Sequence, residues 1–146
     1  MSATDVFENG LLSLIFENAA YANVGDAGGL QPSAGAGVFW ISLSTGTLTD
    51  TSTQATTETT YTGYARVSVA RSTAGWTVTA GVADNDAAIT YGLDTVGSAT
   101  ITDFGVGSDS SAAGNLFLYG VLTASLAVSP GITPSFAIGA LDVTLT

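Results

Sequence analysis

The last third of the chain is a succession of short extended segments separated by Gly- and Pro-containing turns, and this pattern limits the fold more than any other feature. Residues 99–107, 114–123 and 128–146 alternate apolar with polar or small side chains. A period of two is typical of half-buried β-strands, and frequent turn signals are typical of sandwiches, jelly rolls and barrels. The sequence therefore predicts a mainly β fold, an antiparallel β-sandwich or jelly-roll-like single domain.

Segments upstream extend the same pattern. The predicted strands are 38–44, 64–71, 76–79, 88–91, 98–106, 115–122, 126–128 and 141–146. A turn formed by Asp84, Asn85 and Asp86 is predicted before the fourth of these strands. Aromatic residues in strands are expected to be buried, which predicts a core containing Phe39, Trp40, Trp76, Phe104, Phe117 and Phe136.

One amphipathic helix is predicted ahead of the strands, over residues 3–19. Ser2 or Thr4 can cap it, and Asp5 and Glu8 lie in its first turn, where the helix dipole favours acidic side chains. Apolar residues recur at spacings of three and four. This stripe either caps the domain's own core or contacts a neighbouring subunit, and its candidate interaction residues are Phe7, Leu11, Leu14 and Ile15.

The predicted organisation has three parts. Residues 1–21 form the helical segment, residues 22–37 form a Gly-rich linker, and residues 38–146 form the β-domain. Within this domain, residues 45–62 include ten threonines and few apolar side chains. We predict a long exposed loop or arm here, ordered by a partner.

The composition excludes several classes of function. The chain has no His, no Cys and two cationic side chains, Arg66 and Arg71, and its formal net charge is −10. Binding of phosphates or anionic membranes requires many basic residues, so we expect neither nucleic acid nor a membrane as a partner. A Ser nucleophile would lack its usual His base, and zinc would lack His and Cys ligands. We therefore predict no enzyme activity, no catalytic residue, no cofactor and no bound metal.

Two chemical alternatives stay open at the acidic turn. Asp84, Asn85 and Asp86 could offer oxygen ligands to Ca²⁺, but the EF-hand pattern is absent and a plain Asx-turn is favoured. A pair of acids could also serve a glycan hydrolase. The beginning of the chain lacks the pattern of a secretory signal, and no apolar run is long enough to span a bilayer. We therefore expect assembly in a cytoplasm.

Arg66 is the polar residue that the sequence singles out. It is predicted in the middle of the strand 64–71, in an acidic chain with one other cation. Such an Arg is expected to pair with a carboxylate or with carbonyl groups, as an anchor within the fold or across a subunit contact. The alternative is an ordinary solvated strand residue.

The chain resembles a family of small virion proteins of tailed bacteriophages, often labelled tail fibre protein. The resemblance covers most of residues 3–19 and 61–146, whereas residues 22–60 depart from the pattern. It implies a structural protein, with no catalytic residue to carry over. The matching segments are, in order, 64–69, Trp76, 86–91, 100–106, 114–122, 131–136 and 139–145.

The chain shows no fibrous repeat, and its small size and acidity are similar to those of decoration (cement) proteins on phage heads. This similarity implies a homo-oligomer, expected to be a trimer, that binds the major capsid protein and stabilises the assembled head shell. Its expected location is the capsid surface of the virion, after assembly in the host cytoplasm. The alternative is a tail fibre or baseplate-associated structural protein that contacts the host surface.

Overall fold

The computed structural model describes residues 2–145 and has a mainly β fold with antiparallel pairing and one short N-terminal helix, which confirms the predicted class. Helix α1 is followed directly by a π-helical segment, and nine strands follow. The bounds are α1 Asp5–Leu12, the π-helical segment Ser13–Glu17, β1 Val38–Ser44, β2 Val67–Ala70, β3 Trp76–Thr79, β4 Val82–Asn85, β5 Ile89–Thr90, β6 Ala99–Gly107, β7 Leu116–Val128, β8 Ser135–Phe136 and β9 Asp142–Thr144.

The chain forms two compact units, each built from separate segments. The first contains the described residues up to Gly37, Ala70–Ile89 and the residues from Phe136 onward. The second contains Val38–Val69 and Thr90–Ser135. Residues 70–89 and 136–145 thus belong with the N-terminal segment, although the sequence placed them in one continuous domain, 38–146.

The first unit combines the helix with a three-stranded sheet of order β3-β4-β9. Thr4 caps α1 by accepting a hydrogen bond from the Phe7 N–H, and Asn18 ends the helical segment with a φ of 56°. Leu12 and Phe16 are buried, and the Phe16 ring packs against Trp76 at 4.6 Å between centroids. The helical residues are thus 5–17 rather than 3–19, and the change to π-helical spacing after Leu12 alters which side chains are buried.

The segment 22–37 is an anchored loop rather than a free linker. Tyr21 and Leu30 exchange backbone hydrogen bonds at 2.9 and 2.8 Å. The Asn18 amide donates to the Ser33 carbonyl at 3.0 Å and accepts from the Ser33 N–H at 2.9 Å. Local polar partners therefore fix this Gly-rich stretch, which its composition predicted to be a linker.

The second unit is built on a four-stranded sheet of order β2-β1-β6-β7. The long strands pair antiparallel, β1 with β6 from Trp40↔Gly107 to Ser44↔Asp103 and β6 with β7. Strand β7 forms one outer edge of this sheet. The fully buried apolar residues of these strands include Ile41, Leu43, Ile101, Val106 and Val128.

The predicted strands 115–122 and 126–128 are one continuous strand, β7. Val121 pairs with Asp103 and Leu126 pairs with Ile101, so β7 uses five residue steps where β6 uses two. A bulge absorbs such extra residues without ending the strand. Strand β4 was missed because Asp84 and Asn85 were predicted in a turn; both lie in β4, and Asp86 follows it.

The Thr-rich segment 45–62 is irregular, as predicted, but it is not an exposed arm. Leu48, Gln54, Thr59 and Tyr61 are all buried. The Ser44 hydroxyl lies within hydrogen-bonding distance of the Gly46 carbonyl and of the carbonyl and hydroxyl of Thr57, at 2.9, 3.1 and 2.6 Å, and these contacts close the segment onto the end of β1. Four buried side chains spaced along the segment therefore hold it against the fold, which its polar composition did not predict.

The aromatic core differs from the prediction. Phe39 and Trp76 are buried as expected, whereas Phe117 has 53% of its surface exposed and was wrongly assigned to the core. The predicted residues Trp40, Phe104 and Phe136 are half-buried. Three aromatic residues that were not predicted are buried: Phe16, Tyr61 and Tyr91.

A like-charge pair lies in the sheet of the first unit and gives a pH-dependent prediction. Asp84 of β4 lies opposite Asp142 of β9, and burial, a hydrogen bond to Asp142 and its charge together raise the pKa of Asp84. A raised pKa means that the folded state keeps a proton that the unfolded state loses, so this pair destabilises the fold at neutral pH and less so in acid. Asp142→Asn removes this repulsion and should raise the free energy of unfolding at pH 7. The gain should be less than about 1 kcal/mol, because solvent screens the pair.

Thermal melts of the wild type and Asp142→Asn across acidic and neutral pH measure this effect. The advantage of the variant should fade as the pH falls through the raised pKa of Asp84, and it should shrink with added salt. Asp86→Asn is the control, since it removes the same charge nearby while keeping an acceptor for the Thr77 hydroxyl, which bonds Asp86 at 3.1 Å. Equal gains in both variants at every pH would contradict the pairwise origin.

Candidate functional site

Arg66 is buried and holds two distant loops together. It directly precedes β2 rather than lying in the middle of a strand, as the sequence had predicted. Its Nε and Nη2 atoms donate to Oε1 and Oε2 of Glu58 at 2.7 Å each. Nη1 donates to the Asp109 carbonyl at 2.8 Å, and Nη2 donates to the Ala112 carbonyl at 2.7 Å. The guanidinium therefore joins the Thr-rich segment to the β6–β7 connection, with both a carboxylate and carbonyls as partners.

A cluster of tyrosines packs beside this ion pair. The Tyr64 hydroxyl donates to Glu58 Oε1 at 2.7 Å and accepts from the Leu43 N–H at 3.0 Å. Tyr64 packs edge-on against Tyr61 and stacks with Tyr91 at centroid distances of 5.5 and 6.1 Å. Burial raises the pKa of Tyr64 and of Tyr91, so both hydroxyls stay protonated hydrogen-bond donors at neutral pH.

Gln54 is a second anchor of the same connection that the sequence analysis missed. Its Nε2 donates to the Trp40 carbonyl at 3.1 Å, and its Oε1 accepts from the Asp109 N–H at 2.9 Å. The side chain is almost fully buried. The only Gln of this Thr-rich segment gives no sequence signal for such a role, because its partners lie 14 and 55 residues away.

The candidate interaction residues of the helix lie in the first unit and differ in exposure. Phe7 is 45% exposed and packs edge-on against Tyr21 at 6.0 Å. Leu11, Leu14 and Ile15 are half-buried. Phe7 is therefore the one exposed residue among these four.

Arg71 fastens the end of this helical segment, a role that the sequence analysis did not foresee. Its Nε donates to the Ile15 carbonyl at 2.7 Å and its Nη2 donates to the Leu14 carbonyl at 3.1 Å. Nη1 donates to the Ala36 carbonyl at 3.0 Å. A cation at a helix C-terminus satisfies carbonyls that the helix leaves free and complements its dipole. Both cations of the chain thus act as structural clamps.

Strand β7 presents a row of exposed apolar side chains along an uncovered edge. Phe117, Tyr119 and Val121 are 53%, 42% and 72% exposed, and they alternate with half-buried residues, so they point the same way. The thirteen residues of β7 include no charge and no proline. In the part of the chain that the structure describes, β6 is the only strand beside it. Natural edge strands usually carry charged residues or proline, or are covered by another element. Strand β7 has neither a charged residue nor a proline.

The residues predicted to form an acidic turn, Asp84, Asn85 and Asp86, have other partners in the structure. The Asn85 amide is committed to backbone groups, and Asp86 accepts from Thr77. Within residues 2–145, no three His, Cys, Asp or Glu side chains lie close enough together to hold an ion. None of the described helices has the length and apolar character needed to cross a bilayer.

Asp94 is a buried acid that sequence reasoning also missed. Its backbone bonds with Ile132 and Gly131, whereas neither carboxylate oxygen has a hydrogen-bond partner among the described residues. Burial, followed by the charge of Asp94, raises the pKa of Tyr61. A buried acid of this kind is rare in native folds and gives the second unit an electrostatically costly position.

The class of this protein follows from its family: it is a small structural protein of tailed-phage virions. A family model described as podophage GP4 fiber I protein gp80 matches residues 2–144, and the chain belongs to this family. The match includes residues 22–60, where the resemblance noted from sequence had been weak. No curated protein matches the chain. The protein is therefore a phage structural protein of fibre type.

Proposed function

We propose that the protein is a homo-oligomeric structural subunit of the phage particle and that its copies assemble through the exposed row of β7, Phe117, Tyr119 and Val121. The observation that carries this proposal is the thirteen-residue neutral edge strand with its apolar row. Covering apolar surface that is exposed in a monomer lowers the free energy, so association through such a surface is favourable.

Charge supports a second copy of the same chain as the partner at this row. The protein carries a net charge of −10, so two copies repel each other over most of their surfaces. None of the twelve acids lies in β7. The strand itself therefore brings no charge into the contact; the Asp50 carboxylate lies beside the row, where it accepts a hydrogen bond from the Tyr119 hydroxyl at 2.7 Å.

We propose a trimer in which the three rows meet at the threefold axis. Identical apolar side chains from each copy then cover one another, and the symmetry closes the assembly. A closed trimer also limits further growth along an edge that would otherwise promote aggregation.

Our first proposal for its place in the particle is a decoration protein that binds the major capsid protein and stabilises the assembled head. A protein that binds the assembled shell but not free subunits stabilises the shell by mass action, and a trimer adds avidity. The absence of a fibrous repeat in the sequence supports this placement. The second candidate is a tail fibre or baseplate subunit, which the printed name of the matched family, a fibre protein, supports.

The assembly proposal predicts that Val121→Asp yields a soluble monomer with an unchanged fold. Val121 is 72% exposed, so an aspartate is tolerated in the monomer, but it places three like charges at the proposed axis. Native mass spectrometry should show a trimer of 14.5-kDa chains for the wild type and a single chain for the variant. Val6→Asp is the matched control, since Val6 is 74% exposed on the helix. A monomeric wild type, or a variant that still forms trimers, would reject the β7 interface.

Quantitative mass spectrometry of purified virions separates the two placements. A copy number close to that of the major shell protein supports the decoration protein. A few copies per particle reject it and support the tail placement. Either result leaves the test of β7 unaffected, because that test uses the isolated protein.

A further inference from the structure

The Thr-rich segment packs over the interior strand β6 in the second unit, on the face of the sheet that carries the exposed row of β7. The Leu48 N–H donates to the Asp103 carboxylate of β6 at 3.3 Å, and the Leu48 side chain lies over Gly105 of the same strand. Asp103 and Gly105 pair with Val121 and Tyr119 of β7. Opposed residues of an antiparallel pair project to the same face, so the segment and the row share one face of the sheet.

Asp50 lies at the boundary between the covered and the uncovered part of this face. It is exposed in a turn two residues after Leu48, and its Oδ1 accepts a hydrogen bond from the Tyr119 hydroxyl at 2.7 Å. This hydrogen bond raises the pKa of Tyr119, so the hydroxyl remains a donor at neutral pH. Tyr119 is the middle residue of the row, between Phe117 and Val121. The turn therefore holds a carboxylate against the centre of an apolar surface.

Strand β7 thus receives a charge from another part of the chain. Charged side chains protect many natural edge strands, because they make indiscriminate pairing with further copies unfavourable. The strand contains no such side chain of its own. Asp50 supplies one from a position 69 residues earlier in the chain.

The position of this carboxylate determines how much of the face a second copy can cover. A contact that is confined to the row leaves the exposed Asp50 in water. A contact that extends over the Thr-rich segment buries the carboxylate, and burying a charge without a counter-charge is strongly unfavourable. Carboxylates of neighbouring copies also repel one another when they are brought together. Contacts that cover only the row are therefore favoured over more extensive ones.

We infer that Asp50 is the residue that limits self-association through β7, because its charge confines the contact to the row and opposes the addition of further copies. This role rests on the proposed assembly through β7. It goes further by naming a residue outside the strand that sets the strength and the extent of the contact. Without the charge, the apolar row and the neutral edge favour stronger and less ordered association.

Asp50→Asn isolates the charge, because the amide keeps an oxygen that can accept from the Tyr119 hydroxyl. Sedimentation velocity of the isolated full chain, over a range of concentrations in low salt and in about 1 M NaCl, measures association. In low salt the variant should associate at a concentration about tenfold lower than the wild type does, and it should form species larger than a trimer. The difference should shrink in high salt, which screens the charge of the wild type.

Two matched variants separate the charge from other effects. Asp50→Glu keeps the charge and should retain the association and the salt dependence of the wild type. Asp5→Asn removes one charge from the exposed first turn of α1 and should also associate like the wild type. If Asp50→Asn matches the wild type at both salt concentrations, Asp50 does not limit association. Weaker association of Asp50→Asn also rejects the role, since the carboxylate would then support the contact.

A double variant, Asp50→Asn with Val121→Asp, shows whether the released association uses the row. It should be monomeric, and its association would reject the role of Asp50 at this surface. A trimeric wild type with an unchanged Asp50→Asn rejects only the role of Asp50. A monomeric wild type with an associating Asp50→Asn rejects the proposed trimer and supports the role of Asp50. If both are monomeric at every concentration, both proposals are wrong.

Discussion

Arg66→Ala is expected to lower the free energy of unfolding by at least about 3 kcal/mol, because it removes one member of a buried ion pair. The guanidinium donates to both oxygens of Glu58 and to the carbonyls of Asp109 and Ala112 at 2.7–2.8 Å. The variant leaves Glu58 without its counter-charge and two carbonyls without their donor. Denaturant unfolding followed by circular dichroism measures the loss.

Two further measurements distinguish this explanation from a general packing defect. Hydrogen exchange should increase first in residues 45–62 and 108–115, the segments that Arg66 joins. Arg66→Met combined with Glu58→Gln should be more stable than Arg66→Met alone, since the double change leaves no buried charge unpaired. A loss below about 1 kcal/mol in Arg66→Ala would mean that the pair behaves like an exposed salt bridge.

The second large effect is expected at Asn85, in the first unit. Its side chain is buried and uses its full hydrogen-bonding capacity. Nδ2 donates to the carbonyls of Ala87 and Ala137 at 2.7 and 2.8 Å, and Oδ1 accepts from the N–H groups of Ala140 and Leu141 at 3.0 and 2.9 Å. Asn85→Ala should cost at least about 2 kcal/mol, because it leaves buried backbone groups unpaired.

Asn85→Asp should be more destabilising at neutral pH than Asn85→Ala. The carboxylate keeps the acceptor but cannot donate, and it faces the carbonyl oxygens of Ala87 and Ala137. Asn115→Asp is the control, since Asn115 is exposed and its change should stay within about 0.5 kcal/mol. If Asn85→Asp proves as stable as the wild type, the hydrogen-bond assignment of this side chain is wrong.

The sequence predicted the regular parts of the fold because periodicity reports local burial. Strands β1 and β3 have the predicted bounds, Val38–Ser44 and Trp76–Thr79. The prediction failed where tertiary partners override local preference. Asp84 and Asn85 favour a turn locally, yet pairing with β3 and β9 keeps them in a strand. Phe117 is apolar and lies in a strand, but the alternation of apolar residues does not show whether that face of the strand packs against the core or is exposed.

The candidate sites were harder to predict than the strands, because they depend on contacts far apart in sequence. Arg66 was singled out, and its partnership with a carboxylate and carbonyls is as expected. Its partners at Asp109 and Ala112 are 43 and 46 residues away and could not be named.

Each of the two units contains one tryptophan, so the intrinsic fluorescence of the protein can report on each unit separately. Trp76 lies in the first unit, fully buried against Phe16, and Trp40 lies in the second unit, half-buried on β1. Trp76 should therefore emit at shorter wavelength than Trp40. Trp40→Phe and Trp76→Phe leave one fluorophore each, so the unfolding of either unit can be followed without any added label. Coincident curves would show that the units unfold together, and separate curves would give each unit its own stability.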